Sequence, residues 1–246
     1  MKKKIGIIGA GAWGTAIAIL AHKNGHNVSL WHYDYQKALL MKETRDCPYL
    51  LNVKINDSII ITDKLNDILD SDILIYAAPA QEFNSLTMKI SESNSAFNNP
   101  VVIASKGIDN KINKLLDSIC KHNLPNSNPV ILSGPGFAED IVKELPTALT
   151  IAAHDLKLAN MVGNIFANEY FRPYFSTDLI GVQIGGALKN IIAIASGIAI
   201  GNNLGDGAVA SIITRGLSEM TKFGIELGAK HETFNGLSGI GDLVLT

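Results

Sequence analysis

Two lysines and an aspartate carry the chemistry this sequence offers, and each has glycine close by in the chain. Lys189 lies in Gly185-Gly186-Ala187-Leu188-Lys189-Asn190 and is the only charge between Asp178 and Asp206. Two glycines inside a helical pattern cost about 1 kcal/mol each relative to alanine, so the close approach of a backbone or a flat ring is the expected compensation. An ordinary lysine titrates near ~10.4, and desolvation or a neighbouring cation lowers it toward the range useful for proton transfer. A solvated lysine on the outer helix face is the alternative. Asp242 follows Gly236-Leu237-Ser238-Gly239-Ile240-Gly241 and reads either as a helix N-cap or as a carboxylate that orients Lys189. Lys106 emerges from the apolar run 101–105, at the carboxyl end of a strand, where open α/β sheets bind ligands. Ser133-Gly134-Pro135-Gly136-Phe137-Ala138 has the same placement and opens a helix, as an anion-binding turn or as a turn alone.

A second constellation opens the chain. Gly9-x-Gly11-x-x-Gly14 falls between an apolar run at 4–8 and helical spacing over 15–23, with Asn24-Gly25 as the stop. In a strand-turn-helix unit, the three glycines make the tight turn, admit a pyrophosphate to the backbone, and let the helix pack on the strand. The helix N-terminus then offers free N–H groups to phosphate. A plain turn and a methyltransferase glycine loop are the competing readings. Asp34, 20 residues past Gly14, is either the acid that binds the ribose of NAD or the cap of the next helix.

These residues need a scaffold that brings strand ends together. Apolar runs at 28–32, 58–62, 73–78 and 101–105 predict strands, with helices over 81–90 and 111–121 between them. Unbroken apolar strands imply a parallel sheet covered on both faces. Segments 129–133, 147–152 and 171–175 extend that sheet, with helices over 137–143 and 155–167. After Asp178 the pattern is helical, at 180–199, 208–224 and near Glu232. We therefore expect an α/β domain over residues 1–176 and a helical one over 177–246, packed directly together with a cleft between them.

Composition narrows the function. The 246 residues are 47% hydrophobic and 18% charged, with a net charge of -2. That excludes disordered and collagen-like classes and gives no basic excess for nucleic acid or an anionic membrane. Cys47 and Cys120 are isolated, so buried, reduced thiols of a cytoplasmic protein are expected and no metal site. The lysine-led start resembles a signal peptide, but Gly9, Gly11 and Gly14 interrupt its apolar run. The uncharged stretch 190–205 is 16 residues long, short of the ~20 that span a bilayer. Glycine is in excess, with 13 of the 22 in the last 70 positions. The six histidines have no metal or triad spacing and read as surface or capping residues.

Taken in order, several blocks resemble the bacterial type of NAD(P)-dependent sn-glycerol-3-phosphate dehydrogenase: GAGAWGTA from Gly9, Asn24-Gly25-His26, Leu30-Trp31, Ser105-Lys106-Gly107 and SGPGFA from Ser133. Leu145-Pro146-Thr147-Ala148, IGVQIGGALKN from Ile180, ITRGLSEM from Ile213 and GLSGIGDLVLT from Gly236 continue the series. The resemblance implies a Rossmann-type domain holding NADH or NADPH, a helical domain closing on it, and interconversion of dihydroxyacetone phosphate and sn-glycerol 3-phosphate for phospholipid synthesis. It places Gly9, Gly11, Ala12, Trp13, Gly14, Tyr33 and Ala138 against the cofactor, and Lys106 against both cofactor and substrate. Gly134 and Gly136 touch substrate; Lys189 is the acid/base, with Asn190, Asp242 and Thr246 in its network. A homodimer is left open, as is the choice of NAD or NADP. Gly136 stands where the family usually has serine or threonine. The family also runs several dozen residues past GDLVLT, through a Ser-Arg-Asn segment whose arginine grips phosphate, so the helical domain is expected to be incomplete over these 246 residues. The alternatives are another two-domain hydroxyacid or sugar-nucleotide dehydrogenase, and a catalytically impaired NAD(P)-binding protein.

Overall fold

Short β-branched runs form the sheet that carries the site. The computed structural model describes residues 1–246. β1 (Lys4–Ile8), α1 (Ala12–Lys23) and β2 (Asn27–Trp31) make the first β-α-β unit, followed by α2 (Tyr35–Thr44) and β3 (Ile60–Thr62). The chain then adds β4 (Ile73–Tyr76), α3 (Phe83–Ser93), β5 (Val101–Ile103), the hairpin β6 (Ile108–Asp109) and β7 (Lys114–Leu115), and α4 (Leu116–Asn123). β8 (Pro129–Ser133), α5 (Ala138–Val142), β9 (Thr147–Ala153), α6 (Leu156–Phe166) and β10 (Phe171–Ser176) complete the sheet, in the order β10-β9-β8-β5-β4-β1-β2-β3.

The six strands from β3 to β8 in that order are parallel, and their sequence reverses between β1 and β4. That is the crevice where doubly wound sheets bind ligands. Apolar side chains cover both faces. Ile17 and Leu20 of α1 and Val162 of α6 lie in the core on one side; Phe83 and Ile90 of α3, Ile119 of α4 and Val182 lie on the other.

Two expectations are corrected. β9 runs antiparallel to β8, because the five-residue α5 spans only ~7 Å and cannot return the chain along a strand to its starting edge. β10 then pairs parallel with β9, since the 11-residue α6 is long enough for that return. The helix expected over 111–121 begins only at Leu116. The Asp109 carboxylate accepts from the amides of Lys111 and Ile112 at 2.9 and 3.1 Å, and Asn113 has φ 51°. This local turn wins over helix and makes the hairpin.

After β10 the chain is helical: α7 (Leu179–Gly201), α8 (Asp206–Glu226), α9 (His231–Phe234), a wide turn over Leu237–Gly241, and α10 (Asp242–Leu245). Asp178 starts α7 and ties it to α9. One carboxylate oxygen accepts from the Gly181 amide at 2.8 Å; the other accepts from the Lys230 amide and the Thr233 hydroxyl. Ile184 and Ile192 of α7, Met220 of α8, Phe234 and Leu243 form a small core of their own.

Candidate active site

The helix α7 crosses the carboxyl end of β8, and the double glycine sets how closely. A Cβ on Gly185 would stand 2.1 Å from the Ser238 carbonyl oxygen, and one on Gly186 would stand 2.8 Å from Ser133 Oγ. The expected compensation is thus real, but it is protein backbone that approaches Gly185. One turn on, Lys189 is only 7% exposed.

Its ammonium donates to Asp242 Oδ1 and, at 2.7 Å, to Thr246 Oγ1. Lys106 donates to Asp242 Oδ2 at 2.5 Å and more weakly to the Gly134 carbonyl at 3.4 Å. Asp242 is fully buried and both its oxygens are engaged by lysines, so it anchors the pair rather than capping α10. Gly241 precedes that helix without a side-chain cap. Lys106 is held down to about 8, chiefly by burial and further by the Lys189 charge, with Asp242 opposing. The outer-face alternative for Lys189 is overturned. Asn190 is not brought to this cluster: it is exposed and makes no hydrogen bond to it, because one helical step turns it ~100° away.

The glycine turn lies at the end of β1. Gly9 has φ +106°, and a Cβ there would stand 2.8 Å from the Ala77 carbonyl, so only glycine fits. A Cβ on Gly14 would stand 1.8 Å from the Gly9 carbonyl oxygen. Gly11 has nothing within 4 Å of its missing Cβ, and it precedes α1 without a side-chain cap. The open side of Gly11 and the uncapped amides of Ala12, Trp13 and Gly14 fit a pyrophosphate. Trp13 reaches toward the β8 turn, its Cη2 3.6 Å from a Cβ built on Gly136, which would also press on Leu149 at 3.1 Å and Thr147 at 3.4 Å. A serine there would need the Leu149 side chain to give by a few tenths of an ångström. Ala138 begins α5, packed against the same core as Ala12 and Trp13.

At the end of β2, Tyr33 is 75% exposed and stacks on His32, ring centroids 5.0 Å apart. Asp34 caps α2, accepting from the Lys37 amide at 3.1 Å. His32 is buried, not a surface residue, and accepts from the Asp34 amide; burial lowers its basicity. Beside Tyr33 is a cavity of about 680 Å³ lined also by Trp31, Pro79, Glu82, Leu86 and Lys89. Sequence reasoning missed this wall; the signal was Ala78-Pro79 directly after an apolar strand.

Models of NAD-dependent glycerol-3-phosphate dehydrogenase match the chain twice, the N-terminus over residues 4–159 and the C-terminus over residues 178–246. The chain belongs to that family. The dehydrogenase is 42% identical over 242 residues to glycerol-3-phosphate dehydrogenase [NAD(P)+] of Bradyrhizobium diazoefficiens, covering 98% of this chain and 74% of that one. It is 41% identical to the Fusobacterium nucleatum protein of the same name, covering 99% and 73%. The crystal structure of glycerol-3-phosphate dehydrogenase from Coxiella burnetii superposes with a TM-score of 0.94 at 32% identity, covering 99% of this chain and 75% of that one. The protein is therefore an oxidoreductase using NAD or NADP, on a Rossmann-type sheet with an all-helical part after it.

Proposed function

We propose that the Lys106, Lys189 and Asp242 cluster carries out the interconversion of dihydroxyacetone phosphate and sn-glycerol 3-phosphate, for phospholipid synthesis in the cytoplasm. The observation that supports it most directly is the buried Lys189 ammonium held by Asp242 and Thr246. When bound, the nicotinamide cofactor supplies or accepts the hydride. Gly9, Gly11, Ala12, Trp13, Gly14, Tyr33 and Ala138 would hold it along the carboxyl edge of the sheet. Lys189 donates a proton to the oxygen forming at C2 during reduction and recovers it during oxidation. Lys106 stabilises that oxygen as negative charge builds, so the cluster favours the transition state over the neutral ketone. Asp242 fixes both ammonium groups, and Thr246 fixes the orientation of Lys189. Gly134 and Gly136 supply backbone contacts to substrate.

We take residues 1–176 as the cofactor-binding part and 177–246 as the helical part; Lys106 of the first, joined through Asp242 to Lys189 of the second, supports that division. One helix, α7, is long and apolar enough to cross a membrane, yet it carries Lys189 and packs on β8, α8 and α9. These contacts support a role within the fold rather than insertion. The net charge of -2 supports no nucleic-acid partner. A homodimer is the proposed assembly on the strength of the family resemblance. The test is oxidation of NADH and of NADPH by this chain with dihydroxyacetone phosphate, beside a 3-keto acid. Turnover with the phosphorylated ketone alone is expected; turnover only with the keto acid overturns the reading.

A further inference from the structure

The Ser133 hydroxyl is buried and has no hydrogen-bond partner. Ser133 ends β8 and is 4% exposed, and its carbonyl, not its hydroxyl, accepts from Ser238 Oγ at 3.4 Å. A Cβ on Gly186 would stand 2.8 Å from Ser133 Oγ and 3.3 and 3.5 Å from Cγ and Cδ of Lys106. The hydroxyl and the lysine stem therefore face each other across a gap that Gly186 keeps open. Alanine would fill the place of Ser133 with no stranded polar atom, and buried hydroxyls are nearly always satisfied. A hydroxyl left unpaired in one state of a site is explained by a partner gained in another. Lys106 is the group able to become that partner. It has three donors, one strong acceptor in Asp242, and a distant one in the Gly134 carbonyl.

We propose that Ser133 is a positioning residue for Lys106: when an anionic ligand draws the ammonium off Asp242, the Ser133 hydroxyl accepts from Lys106 Nζ and holds the charge at the ligand. The inference rests on the reading of Lys106 as a substrate-binding cation. The charged groups acting on Lys106 are Asp242 of α10 and Lys189 of α7. The turn from Ser133 to Ala138 contributes no charged side chain.

The test is Ser133→Ala beside the wild-type chain, with thermal midpoints and calorimetric titration of sn-glycerol 3-phosphate across pH. The free variant melts at the wild-type temperature or above it, because an unpaired hydroxyl has been removed. Its affinity for sn-glycerol 3-phosphate falls about tenfold, the scale of one hydrogen bond to a charged group. Binding is also lost at lower pH than in wild type, because the ligand-engaged ammonium has lost an acceptor. A lower midpoint or failure to fold, or affinity and pH dependence equal to wild type, overturns the proposal, since the hydroxyl is then structural or idle. If the wild-type chain itself binds no sn-glycerol 3-phosphate, the reading of the cluster as its site falls, and this inference with it.

Discussion

With both oxygens of Asp242 taken by lysines, the cluster carries one positive charge in excess, which suits an anionic substrate. The two lysines differ in how far they are enclosed. Lys189 is enclosed and held by Asp242 and Thr246, whereas the Lys106 side chain is 26% exposed. Lys189→Ala is expected to abolish turnover while cofactor affinity, measured by fluorescence titration, stays near wild type; a variant that keeps most of its rate removes Lys189 from the chemistry. Lys106 gives a pH signature. It is charged below about 8 and neutral above, so kcat/KM for the phosphorylated substrate falls as pH rises through that value. Stability moves the other way. Between about 8 and the ordinary lysine value of 10.5 the unfolded chain binds the additional proton, so the folded state gains stability with rising pH. Lys106→Met is expected to remove both the falling limb in the rate profile and its share of the rising melting temperature.

The elements are placed by what glycine permits. Along α7, Gly185 lies against the Ser238 carbonyl, while Gly197 has nothing within 4 Å of its missing Cβ. The same substitution thus has opposite signs at the two sites. Gly185→Ala forces the Leu237–Gly241 turn away from α7, costing about 1–3 kcal/mol by overpacking and taking Asp242 with it. Gly197→Ala replaces a poor helix former at an open position and gains about 1 kcal/mol. Thermal unfolding of the two variants, with activity beside it, checks the pair; equal shifts would refute the contact. The wide turn itself depends on the same device, since a Cβ on Gly239 would stand 2.1 Å from the Phe234 carbonyl oxygen.

At the scale of the molecule, the sheet and the helices are joined by few polar contacts, and Gln183 makes one of them. It lies on α7, buried, and accepts from the Asp117 amide at the start of α4 at 3.1 Å. Gln183→Leu strands that amide, costing about 1–3 kcal/mol, and loosens α7 over the sheet; a lower thermal midpoint with reduced activity is expected, and an unchanged midpoint would show the contact to be incidental. The outer face of α7 bears an exposed row, Ile191, Ile194 and Ile198, spaced as one helical stripe. The sequence by itself determined the glycine turn after β1, the strands that follow it, the helical character after Asp178, and the lysine in a glycine-marked helix. Each of these is written in local spacing, because strand runs, helix periods and tight turns depend on neighbours in the chain. The sequence alone did not pair Lys106 with Asp242, assign Asp34 to its own helix, turn Asn190 outward, or reverse β9. Those outcomes follow from which surfaces meet: Lys106 and Asp242 are 136 residues apart, and only the crossing of α7 over β8 and the turn beneath it brings them within a hydrogen bond.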